Sequence, residues 1–135
     1  MIILGGCLCG RVRYRIDGSL GPLVYCHCVQ CRKAQGVGFA ANVPVPMHNF
    51  EIVTGTEFVK GYCASPDKTR YFCANCGAPL YSHVTGAANI RLRVGSVDGA
   101  PTLTPSAHIF MSSKAPWIMI ADELPQYPQR EPGRN

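Results

Sequence analysis

Eight cysteines fall along 135 residues in three tight groups and one outlier, and no other feature limits the possible folds as much. The groups are Cys7 with Cys9, Cys26 with Cys28 and Cys31, and Cys73 with Cys76; Cys63 stands alone. Spacings of C-x-C and C-x-x-C bring thiolates together on one ion, so the chain is expected to fold around metal, and zinc suits such sulfur sets. The start, MIILGGCLCGR, has no basic leader, no long apolar stretch and no small-residue cleavage site. No later apolar run approaches the length of a membrane span. The expected setting is the cytoplasm, where thiols stay reduced and clustered cysteines read as ligands.

The three groups divide into two sites. Cys7 and Cys9 lie ahead of a predicted strand, and in extended backbone residues i and i+2 share a face. Cys73 and Cys76 end another strand, and Gly77 supplies the freedom that a tight C-x-x-C turn needs. Four thiolates from two distant segments make a closed tetrahedral site, which contributes folding energy and leaves no position for substrate. Cys26, Cys28 and Cys31 supply only three. Three protein ligands with a vacant fourth position suit catalysis, so these are the candidate catalytic residues. The expectation is two zinc ions per chain, one structural and one with an open coordination position. His27 would close the second site as a Cys₃His set, but it lies between two ligands on a strand and should point to the opposite face.

The segments Arg11 to Ile16 and Asn89 to Val94 alternate basic and apolar residues and read as half-buried strands. Further strands are expected at Leu23 to His27, Val37 to Val43, Phe58 to Cys63, Thr69 to Cys73, Pro79 to Val84 and Ala107 to Met111. Helix is confined to about one turn near Gln30 to Gln35. With 14 Gly and 11 Pro as punctuation, the expected class is all-β, in packed antiparallel sheets. Residues 1–124 are expected to form a single domain; from Leu124 the proline-rich chain reads as a tail, 125–135, that wraps the surface or is disordered and carries no chemistry.

A formal charge of +5 points toward a polyanionic partner until the metals are counted. A four-thiolate and a three-thiolate zinc together lower it to about +2, and nucleic acid is no longer an expected partner. Among the remaining residues, Cys63 reads as a small buried hydrophobe, His48, His83 and His108 as hydrogen-bonded structural histidines, and Trp117 as core packing.

The motifs GGCLCGRVRY, CHCVQCRKAQG, RYFCANCGAPLY and HIFMSSKAPW resemble the successive motifs of the glutathione-dependent formaldehyde-activating enzyme family, which includes the centromere protein V group. The resemblance runs from Gly6 to about Leu124. It implies a β-tent of antiparallel sheets, a structural zinc on Cys7, Cys9, Cys73 and Cys76, and a second zinc on Cys26, Cys28 and Cys31. It also implies a carbon–sulfur lyase that joins formaldehyde and glutathione.

Chemistry points the same way. Three thiolates make zinc-bound water less acidic than a three-histidine site does, whereas a small thiol such as glutathione is a fitting fourth ligand that coordination deprotonates. Addition to an aldehyde creates an alkoxide, for which Arg32, Lys33, Lys114 or a bound water are candidate donors; Arg32 and Lys33 are also candidate anchors for a substrate carboxylate. The alternatives are a non-catalytic zinc module that binds protein or nucleic acid, and a thiol-based redox or metal sensor.

Overall fold

The structure is a computed structural model that describes residues 1–99 and 101–134. Ten strands are formed among the described residues: β1 (Ile2–Gly6), β2 (Arg13–Asp17), β3 (Leu23–Cys26), β4 (Ala40–Pro46), β5 (Phe50–Thr54), β6 (Val59–Ser65), β7 (Lys68–Cys73), β8 (Pro79–Val84), β9 (Asn89–Arg93) and β10 (Pro105–Ile109). The α-helix α1 (Val29–Gln35) follows β3. The chain is thus β-rich with very little helix, as expected. No helix of the described residues is long and apolar enough to cross a membrane.

Strands β1, β2 and β5 form a three-stranded antiparallel sheet in that order. The other seven form a sheet in the order β10-β3-β4-β9-β8-β7-β6, antiparallel throughout except where β10 runs parallel to β3. β4 begins later than expected and runs through Pro44 and Pro46. It pairs with β3 only over Ala40 to Asn42, so both prolines fall where one side of the strand is open and no amide is needed. β1 and β5 were not anticipated. Gly5 in β1 lies against the Tyr14 ring, and a Cβ there would collide with the Tyr14 hydroxyl and the Ser96 carbonyl. A strand built on such close approach carries little hydrophobic signature.

Alternation along the central strands gives the seven-stranded sheet two different faces. Val43 and Val45 of β4 and Ile90 and Leu92 of β9 pack with Val12, Tyr14 and Ile16 and with Leu80, forming the main core against the three-stranded sheet. The Tyr14 hydroxyl, fully buried, is 2.7 Å from Ser96 Oγ. A second cluster gathers Val24, Cys26, Cys31, Ala40 and Ile109. Alternation thus sends Val24, Cys26, Ala40 and Asn42 to the side that carries α1 and the chain terminus, together with Arg91 and Arg93.

The C-terminal segment runs along β10 and the turn after it. His108 N donates to Pro125 O (2.9 Å), Tyr127 N to His108 O (2.9 Å), Met111 N to Tyr127 O (3.0 Å) and Phe110 N to Gln129 O (3.0 Å). These bonds hold the segment as a strap across the sheet edge.

Candidate metal centres

Cys7, Cys9, Cys73 and Cys76 place their Sγ atoms within 4.8 Å of one another. Cys7 and Cys9 are 3.5 Å apart at sulfur, and Cys9 and Cys73 are 3.9 Å apart. Four sulfurs at the usual zinc–sulfur length would stand about 3.8 Å from each other in a tetrahedron, so the donor set fits the ion. Two turns build the site. After β1, Gly10 at φ 82° turns the chain so that its amide donates to Cys7 O (3.2 Å), and the Val12 amide donates to Cys7 Sγ (3.2 Å). After β7, the Gly77 amide donates to Cys73 O (2.7 Å) and Cys73 N donates to Ala78 O (3.0 Å). Cys7 and Cys9 therefore meet through a turn and not on one strand face, because β2 begins only at Arg13.

The ionisation of these thiols is uneven. The Arg11 backbone amide and the Asn75 side chain hold Cys9 down to about 5, whereas burial pushes Cys73 up to about 11. Four neighbouring thiolates repel one another, so all ionise together only around a cation.

Cys26, Cys28 and Cys31 form the second cluster, with sulfurs within 4.8 Å of one another and no fourth His, Cys, Asp or Glu in the group among the described residues. Cys26 ends β3; Cys28, extended at φ −66° and ψ 149°, is the N-cap of α1, and its Sγ accepts from Cys31 N (3.2 Å). A thiolate is stabilised at such a helix start. Gly36, at φ 64°, ends the helix, with its amide donating to Arg32 O (2.8 Å). Cys31 is drawn well below its ordinary value by hydrogen bonds from the Cys26 and Cys28 thiols and from Arg70, while Cys26 is pushed up by its hydrogen bonds with Cys28 and Cys31 and by burial. Arg70 Nη2 lies 3.4 Å from Cys31 Sγ, and its Nε and Nη2 donate to Gln30 Oε1 at 3.0 and 2.7 Å. The C-x-C-x-x-C motif thus carries its own orienting residue, Gln30.

His27 turns away from the thiols. Its Nε2 lies 2.8 Å from His108 Nδ1, and His108 Nε2 lies 2.9 Å from Asp122 Oδ2. The carboxylate can only accept, so a neutral His108 donates from Nε2 and accepts at Nδ1 from His27 Nε2. Burial, His108, Lys114 and Arg32 hold His27 down to about 4, in its neutral form. His108 is therefore the middle of a hydrogen-bonded chain whose two histidines are buried and whose carboxylate, Asp122, is exposed. His83 Nε2 donates to Ala87 O (2.9 Å), and His48 is exposed.

Three other expectations are corrected. Cys63 is exposed, because β6 is the edge of its sheet and pairs only with β7. Trp117 is 67% exposed; Ala115, at 1%, takes the interior position in that turn. Arg32, Lys33 and Lys114 do not line the thiol cavity. Arg32 Nη1 donates to Ser113 O (3.2 Å), Lys114 Nζ donates to Ala115 O (3.1 Å) and Ile118 O (2.6 Å), and Lys33 is exposed on α1. A cavity of about 260 Å³ beside Cys26, Cys28 and Cys31 is instead lined by Lys68, Arg91, Arg93, Arg130 and Arg134. Arg93 Nη1 donates to Asn42 Oδ1 (3.2 Å), and burial brings this guanidinium down to about 10. The alternating basic residues of β9 were legible as a pattern, but not the cover of α1 and the strap that buries them.

The sequence matches the family model described as "Glutathione-dependent formaldehyde-activating enzyme" over residues 2–113. It is 28% identical over 129 residues, covering 89% of this chain and 82% of the relative, to a Halomonas elongata protein named "Putative glutathione-dependent formaldehyde-activating enzyme". The fold resembles the crystal structure of a Rhodobacter sphaeroides protein, with a TM-score of 0.61 at 21% identity, covering 72% of this chain and 89% of that one.

Proposed function

The chain belongs to the glutathione-dependent formaldehyde-activating enzyme family, and from that premise we propose that it is a carbon–sulfur lyase that joins glutathione or another small thiol to a small aldehyde such as formaldehyde, or reverses that step. One observation carries the reading: one cysteine group has four sulfurs, whereas the other has three and opens on a cavity lined by cations. Zinc on Cys26, Cys28 and Cys31 supplies, when bound, the positive charge that keeps an incoming thiol deprotonated near neutral pH.

The chain's own groups do the rest. Arg70, held by Gln30, donates to Cys31 and offsets the negative charge of the three thiolates. In the addition the substrate sulfur bonds to the aldehyde carbon, the carbonyl π pair moves to oxygen, and that oxygen takes one proton. Lys68 lines the same cavity, and burial, with Arg70 next, draws its ammonium below the ordinary value. An ammonium so placed gives up a proton more readily than a solvated lysine, so Lys68 Nζ is the proposed donor, and the acceptor in the reverse direction.

The test is exchange NMR of ¹³C-formaldehyde with glutathione. The wild-type protein accelerates interconversion of free aldehyde and adduct, Cys28→Ser abolishes the acceleration, and Lys68→Gln lowers it by roughly 10²-fold or more. A wild-type exchange rate equal to that of buffer would refute the activity.

A further inference from the structure

The proposed reaction makes no use of the arginines on the cavity wall. A second hollow of about 200 Å³ shares Lys68, Ser82, Arg91, Arg130 and Arg134 with the thiol cavity and continues to Asp67 and Asn89. The thiols border only the first hollow. Arg91, Arg130 and Arg134 border both, and so stand on the side of the site away from the sulfurs. Two of these arginines come from the C-terminal strap, beyond residue 113 where the family match ends.

The strap is built to hold them there. Its backbone bonds to Phe110 and Met111 fix residues 127–129 against the turn that borders the cavity, and Ser112 Oγ donates to Pro128 O (2.8 Å). Glu131 accepts from Arg134 at both oxygens, from Nε at 2.8 Å and from Nη2 at 2.9 Å, which sets the direction of that guanidinium. Burial, and after it the charges of Arg134 and Arg130, hold Arg91 below its ordinary value, with Glu131 opposing them. Arg91 and Arg134 are half-buried and Arg130 is exposed; Glu131 offsets one of the three positive charges, and an acidic ligand beside them offsets more. Guanidinium groups recognise acidic groups through paired, charge-assisted hydrogen bonds.

We propose that the strap is the acid-recognising part of the site: Arg130 and Arg134, with Arg91, hold the acidic groups of a thiol whose sulfur lies at Cys26, Cys28 and Cys31. The chain therefore selects small acidic thiols over neutral ones. This inference rests on the reading of the three-cysteine site as a thiol site, and the test separates the two.

The full chain is loaded with Co²⁺, whose thiolate spectrum changes when a ligand is exchanged, and titrated with glutathione, glutathione diethyl ester, 2-mercaptoethanol and 4′-phosphopantetheine. Glutathione is expected to bind at least roughly tenfold more tightly than its diester or 2-mercaptoethanol, with the preference shrinking at high salt. The Arg130→Gln, Arg134→Gln double variant is expected to lose roughly tenfold in glutathione affinity and to bind 2-mercaptoethanol as before. Whether glutathione or 4′-phosphopantetheine binds more tightly identifies carboxylate or phosphate as the preferred acid. Equal wild-type affinity for glutathione, its diester and 2-mercaptoethanol would overturn the role of the strap and leave the thiol site standing. A spectrum that no thiol changes would overturn both. Should the double variant not fold, the comparison of glutathione with its diester on the wild-type chain decides.

Discussion

Replacing Cys73 with serine should unfold the protein. Cys73 is fully buried, its sulfur belongs to the four-cysteine group, and it packs in the main core beside Cys7, Tyr14 and Leu80. A structural zinc of this kind contributes about 10–16 kcal/mol, and in a chain with no preformed site in its unfolded state that binding energy is folding energy. A domain of this length has a total stability of roughly 7–20 kcal/mol. Losing the ion therefore removes an amount comparable to the whole. Even a partial loss of about 4 kcal/mol would lower the melting temperature by roughly 15 °C. Far-UV and near-UV circular dichroism, with metal content measured after gel filtration, provide the assay. A Cys73→Ser protein that keeps both metal ions, its near-UV signal and a melting temperature within a few degrees of wild type would refute the structural role of this site. Cys63→Ser is the control: the residue is exposed on an edge strand, and its loss should change neither quantity.

Three further outcomes follow from the geometry. Cys28→Ser should lose one metal ion yet keep the fold, because serine also caps a helix and the three-cysteine cluster lies outside the main core; chelator titration of the wild type should release metal in two phases, the first absent from the variant. Gly5→Ala should destabilise the domain by about 1–3 kcal/mol, read as a lower urea midpoint at unchanged slope, because its Cβ would strike the Tyr14 hydroxyl and the Ser96 carbonyl. Acid should strip the metals, because protons compete for thiolates; metal content followed against pH should fall as pH falls, and content independent of pH would contradict thiolate ligation.

Cysteine spacing made the division into two centres legible, because groups two or three residues apart must meet wherever the chain turns. It did not reveal how they meet. The strand argument applied to Cys7 and Cys9 was replaced by a turn at Gly10, a backbone choice that a single glycine does not announce. Strands with period-two patterns, such as β9, were legible, whereas β1 ends in two glycines and β5 mixes half-buried and exposed residues without a clear stripe. Proximity in sequence points to Arg32 and Lys33, beside the motif, as the cations near the thiols. The fold instead draws Lys68, Arg91 and Arg93 from strands far along the chain and Arg130 and Arg134 from the strap. Only the sheet order β3-β4-β9-β8-β7 brings those segments to one face, and that order depends on long-range pairing. Gln30 offered a local signal within the motif, but its partner Arg70 lies 40 residues away.

The central claim is that the three-cysteine centre accepts a thiol as an additional sulfur. X-ray absorption at the zinc edge, on protein carrying two zinc ions, tests it without any variant. The two cysteine groups offer seven protein sulfurs to two ions, so the thiol-free protein should show a light-atom shell beside the sulfur shell. Adding glutathione should remove the light-atom shell and raise the sulfur count by one per chain. A light-atom shell that persists unchanged at saturating glutathione, or two centres already all-sulfur without it, would contradict the account.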